Sequence, residues 1–186
     1  MFGEEENVME QEIKGLEKED ADTYLQKCGV DDAAIRKVMV ENAGDSLIPE
    51  EGSLPFYLDI MARTHWAIQQ AGEQPAAKHF EKLGDEVIIH FFQHLSEDIT
   101  TAIKVLSCAP YFDASLMEVL AANQFISPSV SMRTLLSFSF IREEGDKAGI
   151  HGLMKSLACR MYAEEFPDRY LKVHRTLFEY FNGRLP

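Results

Sequence analysis

Residues 138–151 read Phe138-Ser139-Phe140-Ile141-Arg142-Glu143-Glu144-Gly145-Asp146-Lys147-Ala148-Gly149-Ile150-His151, and here the hydrophobic period of the chain changes. Residues 138–142 alternate apolar and polar, the period of a half-buried strand rather than of a helix. Glu143-Glu144-Gly145-Asp146 is a turn sequence, and 147–151 returns as a second strand, so the stretch predicts a two-stranded hairpin.

Everything around the hairpin reads as helix. Ser96, with Glu97 and Asp98 in the first turn, opens a helix to about residue 108, and Pro110 stops it. Asp113 caps a short helix to 122 with Leu116, Val119 and Leu120 inward. Pro128 opens another, with Met132, Leu135 and Leu136 inward and Arg133 as its one basic contact. Helices over 152–165 and 167–181 follow the hairpin. Short helices, a two-stranded wing and a closing helix make a winged-helix pattern.

Upstream, a helix is predicted over 17–28, with Ala21, Tyr24, Leu25 and Cys28 on one face and Gly29 at its C-terminal cap. Asp31 or Asp32 caps a second helix to about Asn42, with Ile35, Val38 and Met39 inward. Pro55 stands in the first turn of a strongly apolar helix over 56–71, where a missing N–H is harmless. Residues 9–13 alternate as a short edge strand would. Gly72-Glu73-Gln74-Pro75 reads as a hinge, and helix signals resume over 85–95. The expected fold is therefore mainly α. A helical lid bundle (1–74) precedes a winged-helix domain (75–186) with a small two-stranded β-wing, and 167–181 serves as a C-terminal connector helix.

The chain carries a formal net charge of -13. Residues 1–75 hold 17 acidic against 6 basic side chains, and the remainder 14 against 12. This balance argues against a nucleic-acid partner or an anionic membrane surface, both of which are bound by Lys and Arg neutralising phosphates. The start, Met1-Phe2-Gly3-Glu4-Glu5-Glu6, has no basic and apolar leader, and no apolar run reaches membrane-spanning length. Cys28, Cys108 and Cys159 are odd in number and far apart, which fits buried thiols in a reducing cytoplasm better than a disulfide framework or a zinc site, and no metal ligand is expected.

Motifs for catalysis are absent or unsupported. Gly44-Asp45-Ser46-Leu47 matches a short esterase signature, but no Asp is followed by His three residues later, and the tetrapeptide follows a helix, so a helix-ending turn is the reading. His90 and His94 have the i, i+4 spacing of paired metal ligands, yet Phe91 occupies the position where a zinc protease has Glu. They are expected to be a half-exposed pair beside the core, with no metal site assigned. There is no phosphate-binding loop of either common glycine-rich type. The expectation is no catalytic residue and no enzyme activity in this chain.

The order of short motifs resembles the STAND class of signal-transduction ATPases, of the NB-ARC-like, bacterial tetratricopeptide-repeat-associated type. Gly15-Leu16-Glu17-Lys18-Glu19-Asp20-Ala21, Tyr24-Leu25 and Gly29-Val30 resemble the segment leaving the ATPase core. Gly52-Ser53-Leu54-Pro55-Phe56-Tyr57-Leu58 resembles the Gly-Leu-Pro-Leu element opening the lid, with Ser53 where glycine is usual. Leu106-Ser107, Phe112-Asp113 and Ser137-Phe138-Ser139-Phe140-Ile141 resemble the bacterial winged helix. Ile150-His151-Gly152-Leu153-Met154 resembles the Met-His-Asp motif at its end, with Gly152 in place of aspartate.

The resemblance implies two cofactor-binding residues, Pro55 against the adenine and His151 at the β-phosphate of ADP. It implies ADP or ATP in the intact parent and no cofactor in the isolated fragment. Its partners would be an upstream nucleotide-binding core and a downstream repeat domain of the same protein. Residue by residue, Pro55 also reads as a helix-starting proline, and His151 as a histidine capping the helix after the wing. Two other readings are a DNA-binding winged-helix transcription regulator and a stand-alone acidic helical protein-interaction adaptor.

Overall fold

The computed structural model describes residues 15–44 and 53–183. The expected strand at 9–13, and Asp45, Ser46, Leu47 and Gly52 of the motifs above, lie outside the described residues. In chain order come α1 (Lys18–Lys27), α2 (Ala33–Asn42), α3 (Pro55–Gln70), a 3-10 turn (Ala77–Phe80), α4 (Asp85–Gln93), α5 (Glu97–Leu106), α6 (Ala114–Ala122) and α7 (Met132–Leu136). The hairpin β1 (Ile141–Glu144) and β2 (Lys147–Ile150) follows, then α8 (Gly152–Glu165) and α9 (Pro167–Asn182). The protein is mainly helical, with a small antiparallel two-stranded wing.

Local chemistry accounts for most helix ends. The Asp32 carboxylate accepts from Ala34 N (2.8 Å) and Ile35 N (3.2 Å), and Asp113 accepts from Leu116 N at 2.7 Å. Each satisfies backbone donors that a helix start leaves unpaired. At the end of α3, Gly72 adopts φ +80. Its N–H bonds Gln69 O (3.0 Å) while Glu73 N bonds Ile68 O (3.1 Å), a left-handed cap that glycine adopts without Cβ strain. The expected hinge at 72–75 thus begins as a tightly bonded helix terminus.

Three sequence expectations need correction. Pro128 does not open α7; Ser131 caps it, accepting from Thr134 N at 3.1 Å, and the helix is only five residues long. The first strand begins at Ile141, not Phe138, because Phe138 N and Ile141 N bond Leu135 O and Phe138 O in local turns rather than a ladder. Cys28 is exposed rather than buried. The turn itself is as read: the register runs Ile141↔Ile150 to Glu144↔Lys147 around a two-residue connection with Gly145 at φ +66.

A continuous hydrophobic cluster runs from Ala21 in α1 to Leu177 in α9, crossing residues 74–75 without a break. α3 packs on α4, α5 on α8, and α8 on α9. The wing is tied in at two points. Phe112 pairs with Ala148 through bonds of 2.9 and 2.7 Å, adding a short third rung to β2. At its base, Phe138 and Phe140 both meet Phe91 of α4 edge-on, at 6.2 and 6.0 Å. Among the described residues no helix is long and apolar enough to cross a membrane.

Candidate functional site

The segment before α3 is held as a short extended rung. Leu16 and Ser53 exchange backbone bonds of 2.8 and 3.0 Å, the Ser53 hydroxyl donates to Val40 O, and Leu54 N donates to Ala43 O. These contacts position Pro55 as the first residue of α3 with its ring exposed. Phe56 follows, half-buried, facing the wing.

His151 sits where β2 ends and α8 begins. Its backbone N–H donates to Phe140 O at 2.8 Å and its carbonyl accepts from Lys155 N. The imidazole makes no capping hydrogen bond to α8. It instead lies flat on Phe56, ring centroids 4.7 Å apart and planes 17° from parallel. This stacking, which covers one ring face, distinguishes His151 from a histidine whose side chain caps a helix.

Pro55 and His151, far apart in the chain, line one cleft of about 530 Å³ together with Tyr24, Phe56, Asp59 and Arg142. Asp59, one turn into α3, is its polar hub. It accepts from Tyr24 Oη at 3.2 Å, pairs with Arg63 Nε at 2.8 Å, and accepts from the Ser139 hydroxyl. Asp59 thereby joins α1, α3 and the segment leading into the wing. Burial, and then the Asp59 carboxylate, push the Tyr24 phenol well above its ordinary value, so it stays a neutral donor.

Arg142 supplies the positive charge of the cleft and lies beside His151. They also line a second depression, of about 750 Å³, formed with the tip of the wing and Tyr111. Partial burial, and then the Arg142 guanidinium, hold the His151 pKa below the usual histidine value. At neutral pH the ring is therefore neutral, with one N–H to donate and its charge in reserve for an anion. Pro55 and Phe56 present apolar surface beside Arg142 and His151 in the same cleft. The sequence reading named Pro55 and His151 but gave Arg142, Phe56 and Asp59 no role. Arg142 was visible as the one basic residue of β1; Phe56 and Asp59 became meaningful only through contacts distant in sequence.

The other motifs gather less. His90 and His94 are half-buried, with Nε2 atoms 3.4 Å apart. Burial lowers the pKa of both; neighbouring histidines lower that of His90 further, while at His94 the Glu73 carboxylate opposes the burial. Among the described residues, no third His, Cys, Asp or Glu joins them at ligating distance. Arg133 on α7 is exposed but isolated on a helix too short to fill a groove in DNA. Compared with known proteins, the chain matches no family model, and no curated protein or solved structure is significantly similar to it.

Proposed function

We propose that this chain is the regulatory lid and winged-helix portion of a nucleotide-switched signalling ATPase, acting in the cytoplasm by closing over ADP. It would relay the nucleotide state to a downstream sensor or repeat domain. The observation that carries the reading is the convergence of Pro55 and His151 on one cleft, with Phe56 stacked under the imidazole. In this reading Pro55 and Phe56 lie against the base, His151 and Arg142 face the diphosphate, and Asp59 holds the two flanking elements at the right separation. The upstream core of the same protein supplies the phosphate-binding loop and any hydrolysis. The fragment alone is not an enzyme and does not retain nucleotide tightly, because backbone amides and a loop lysine provide most phosphate affinity. Exchange to ATP separates α3 from the wing, and α9 passes the movement on. Exposed Leu171 and Phe178 on α9 support a role for that helix in meeting a following domain.

The test is calorimetric titration of ADP into the intact parent protein and its His151→Ala variant. The expected result is weakening by about 1–3 kcal/mol, the size of a lost hydrogen bond to a charged group. Unchanged affinity, or a gene with no phosphate-binding loop upstream, overturns the reading in favour of a stand-alone adaptor.

A further inference from the structure

Away from the cleft, the fold brings together three ligand-type side chains that are unrelated in sequence spacing. Cys108 follows the end of α5, Cys159 lies in the middle of α8, and His174 lies in the middle of α9. Their Sγ, Sγ and nitrogen atoms lie within 4.8 Å of one another. The two sulfurs are 3.5 Å apart, one thiol donating to the other. The Nε2 of His174 is sealed from solvent and has no hydrogen-bond partner. An imidazole nitrogen in that state is unusual, since buried polar atoms are nearly always paired. The Tyr170 ring, one turn earlier on α9, packs against the imidazole at 4.3 Å and fixes its plane.

We propose that Cys108, Cys159 and His174 form a zinc site. A tetrahedral zinc ion places two thiolate sulfurs about 3.8 Å apart and each sulfur about 3.5 Å from the imidazole nitrogen, given Zn–S near 2.3 Å and Zn–N near 2.0 Å. The sulfurs already stand close to that separation, and small side-chain rotations bring in the nitrogen. Two thiolates and an imidazole match the borderline-soft preference of zinc rather than the oxygen ligands of calcium or magnesium. Binding exchanges two S–H bonds for two Zn–S bonds and releases two protons to solvent, so the ion's double charge is neutralised by its own ligands. A depression of about 550 Å³ lined by Cys108, Lys155, Cys159 and Tyr170 gives the ion a route in and leaves the fourth position accessible to water. Occupancy ties the end of α5, α8 and α9 together at one point.

The experiment titrates Zn²⁺ into the reduced full chain against a chromophoric chelator and, in parallel, Co²⁺ as a spectroscopic stand-in. One equivalent bound, thiolate-to-cobalt charge-transfer absorption and the visible bands of a tetrahedral ion are expected. Cys159→Ser and His174→Ala should each weaken binding by at least about 100-fold, the upper end of what removing a mere outer-shell partner does. Cys28→Ser should leave it unchanged. Absence of stoichiometric uptake by the reduced wild-type chain overturns the proposal, as does a cobalt complex without thiolate absorption. Equal loss on replacing the His90–His94 pair also overturns it. The wild-type titrations need no variant, so their outcome does not depend on how any substitution folds.

Discussion

Two seams run through the molecule and are built differently. Where α5 packs on α8 and α8 on α9, the helices contribute fully buried residues: Ile103, Val105, Ala158, Tyr162 and Val173 are all 0% exposed. A charged pair there, Lys104 with Glu165 at 2.6 Å, has its lysine side chain almost wholly covered. Where α3 meets the wing, the link is lighter: the Phe56–His151 stack, the Ser139 hydroxyl on Asp59, the Arg63 guanidinium over the Phe138 ring and an open cleft. The first seam resists opening because separating it exposes apolar surface at about 25 cal/mol per Å². The second is closed mainly by contacts worth about 1 kcal/mol each. A structure with one fixed seam and one weak one moves at the weak one.

That contrast is broken most directly by truncation on each side. Ile103→Ala should destabilise the protein by about 2–5 kcal/mol, the range for a buried aliphatic side chain cut to alanine. Phe56→Ala, removing one stack and a half-buried ring, should cost less, about 1–2 kcal/mol. Denaturant unfolding measures both, and equal losses would erase the distinction between the seams.

Acid should sharpen it. His65, His90, His94 and His151 all have pKa values lowered by burial; His65 lies in α3, His90 in α4 and His94 just after it, and His151, at the start of α8, lines the cleft. A histidine whose folded pKa lies below its unfolded value of about 6.5 binds more protons when unfolded, so stability is full above that pH. It is lost progressively as pH falls from there through the folded values. The sole tryptophan, Trp66, is an exposed reporter on α3. Its fluorescence should change at a milder acidity than the global helical circular dichroism does. Coincident transitions would mean that the molecule opens as one unit.

The smallest expected effect lies on the fixed side. Gln124, after α6, holds φ +59 to let Phe125 N reach Leu120 O, a conformation that strains a residue with a Cβ. Gln124→Gly should therefore raise stability by about 0.5–1 kcal/mol, measured by thermal unfolding. The same substitution should leave the α3 seam's acid response unaltered.

What the sequence by itself determined is local. Asp32 and Asp113 as caps, Gly29 as a left-handed terminus, the turn at Gly145 and the bounds of α8 all follow from interactions within about five residues, which chain order specifies directly. The strand start failed at Phe138 and Phe140 because alternation is also what two rings need when they lean on one aromatic, Phe91. The 3-10 turn at Ala77–Phe80 went unread because it has no period of its own; it forms as Asn42 Nδ2 bonds Phe80 O and Phe80 fills the core. Of the cleft, Pro55 and His151 were legible through short motifs, while Arg142 passed as an ordinary strand residue. That His151 lies on Phe56, or that Cys108, Cys159 and His174 face one another, was decided by tertiary structure alone. Such meetings depend on which helix faces exclude water together, and that is a property of the packed core rather than of any window along the chain.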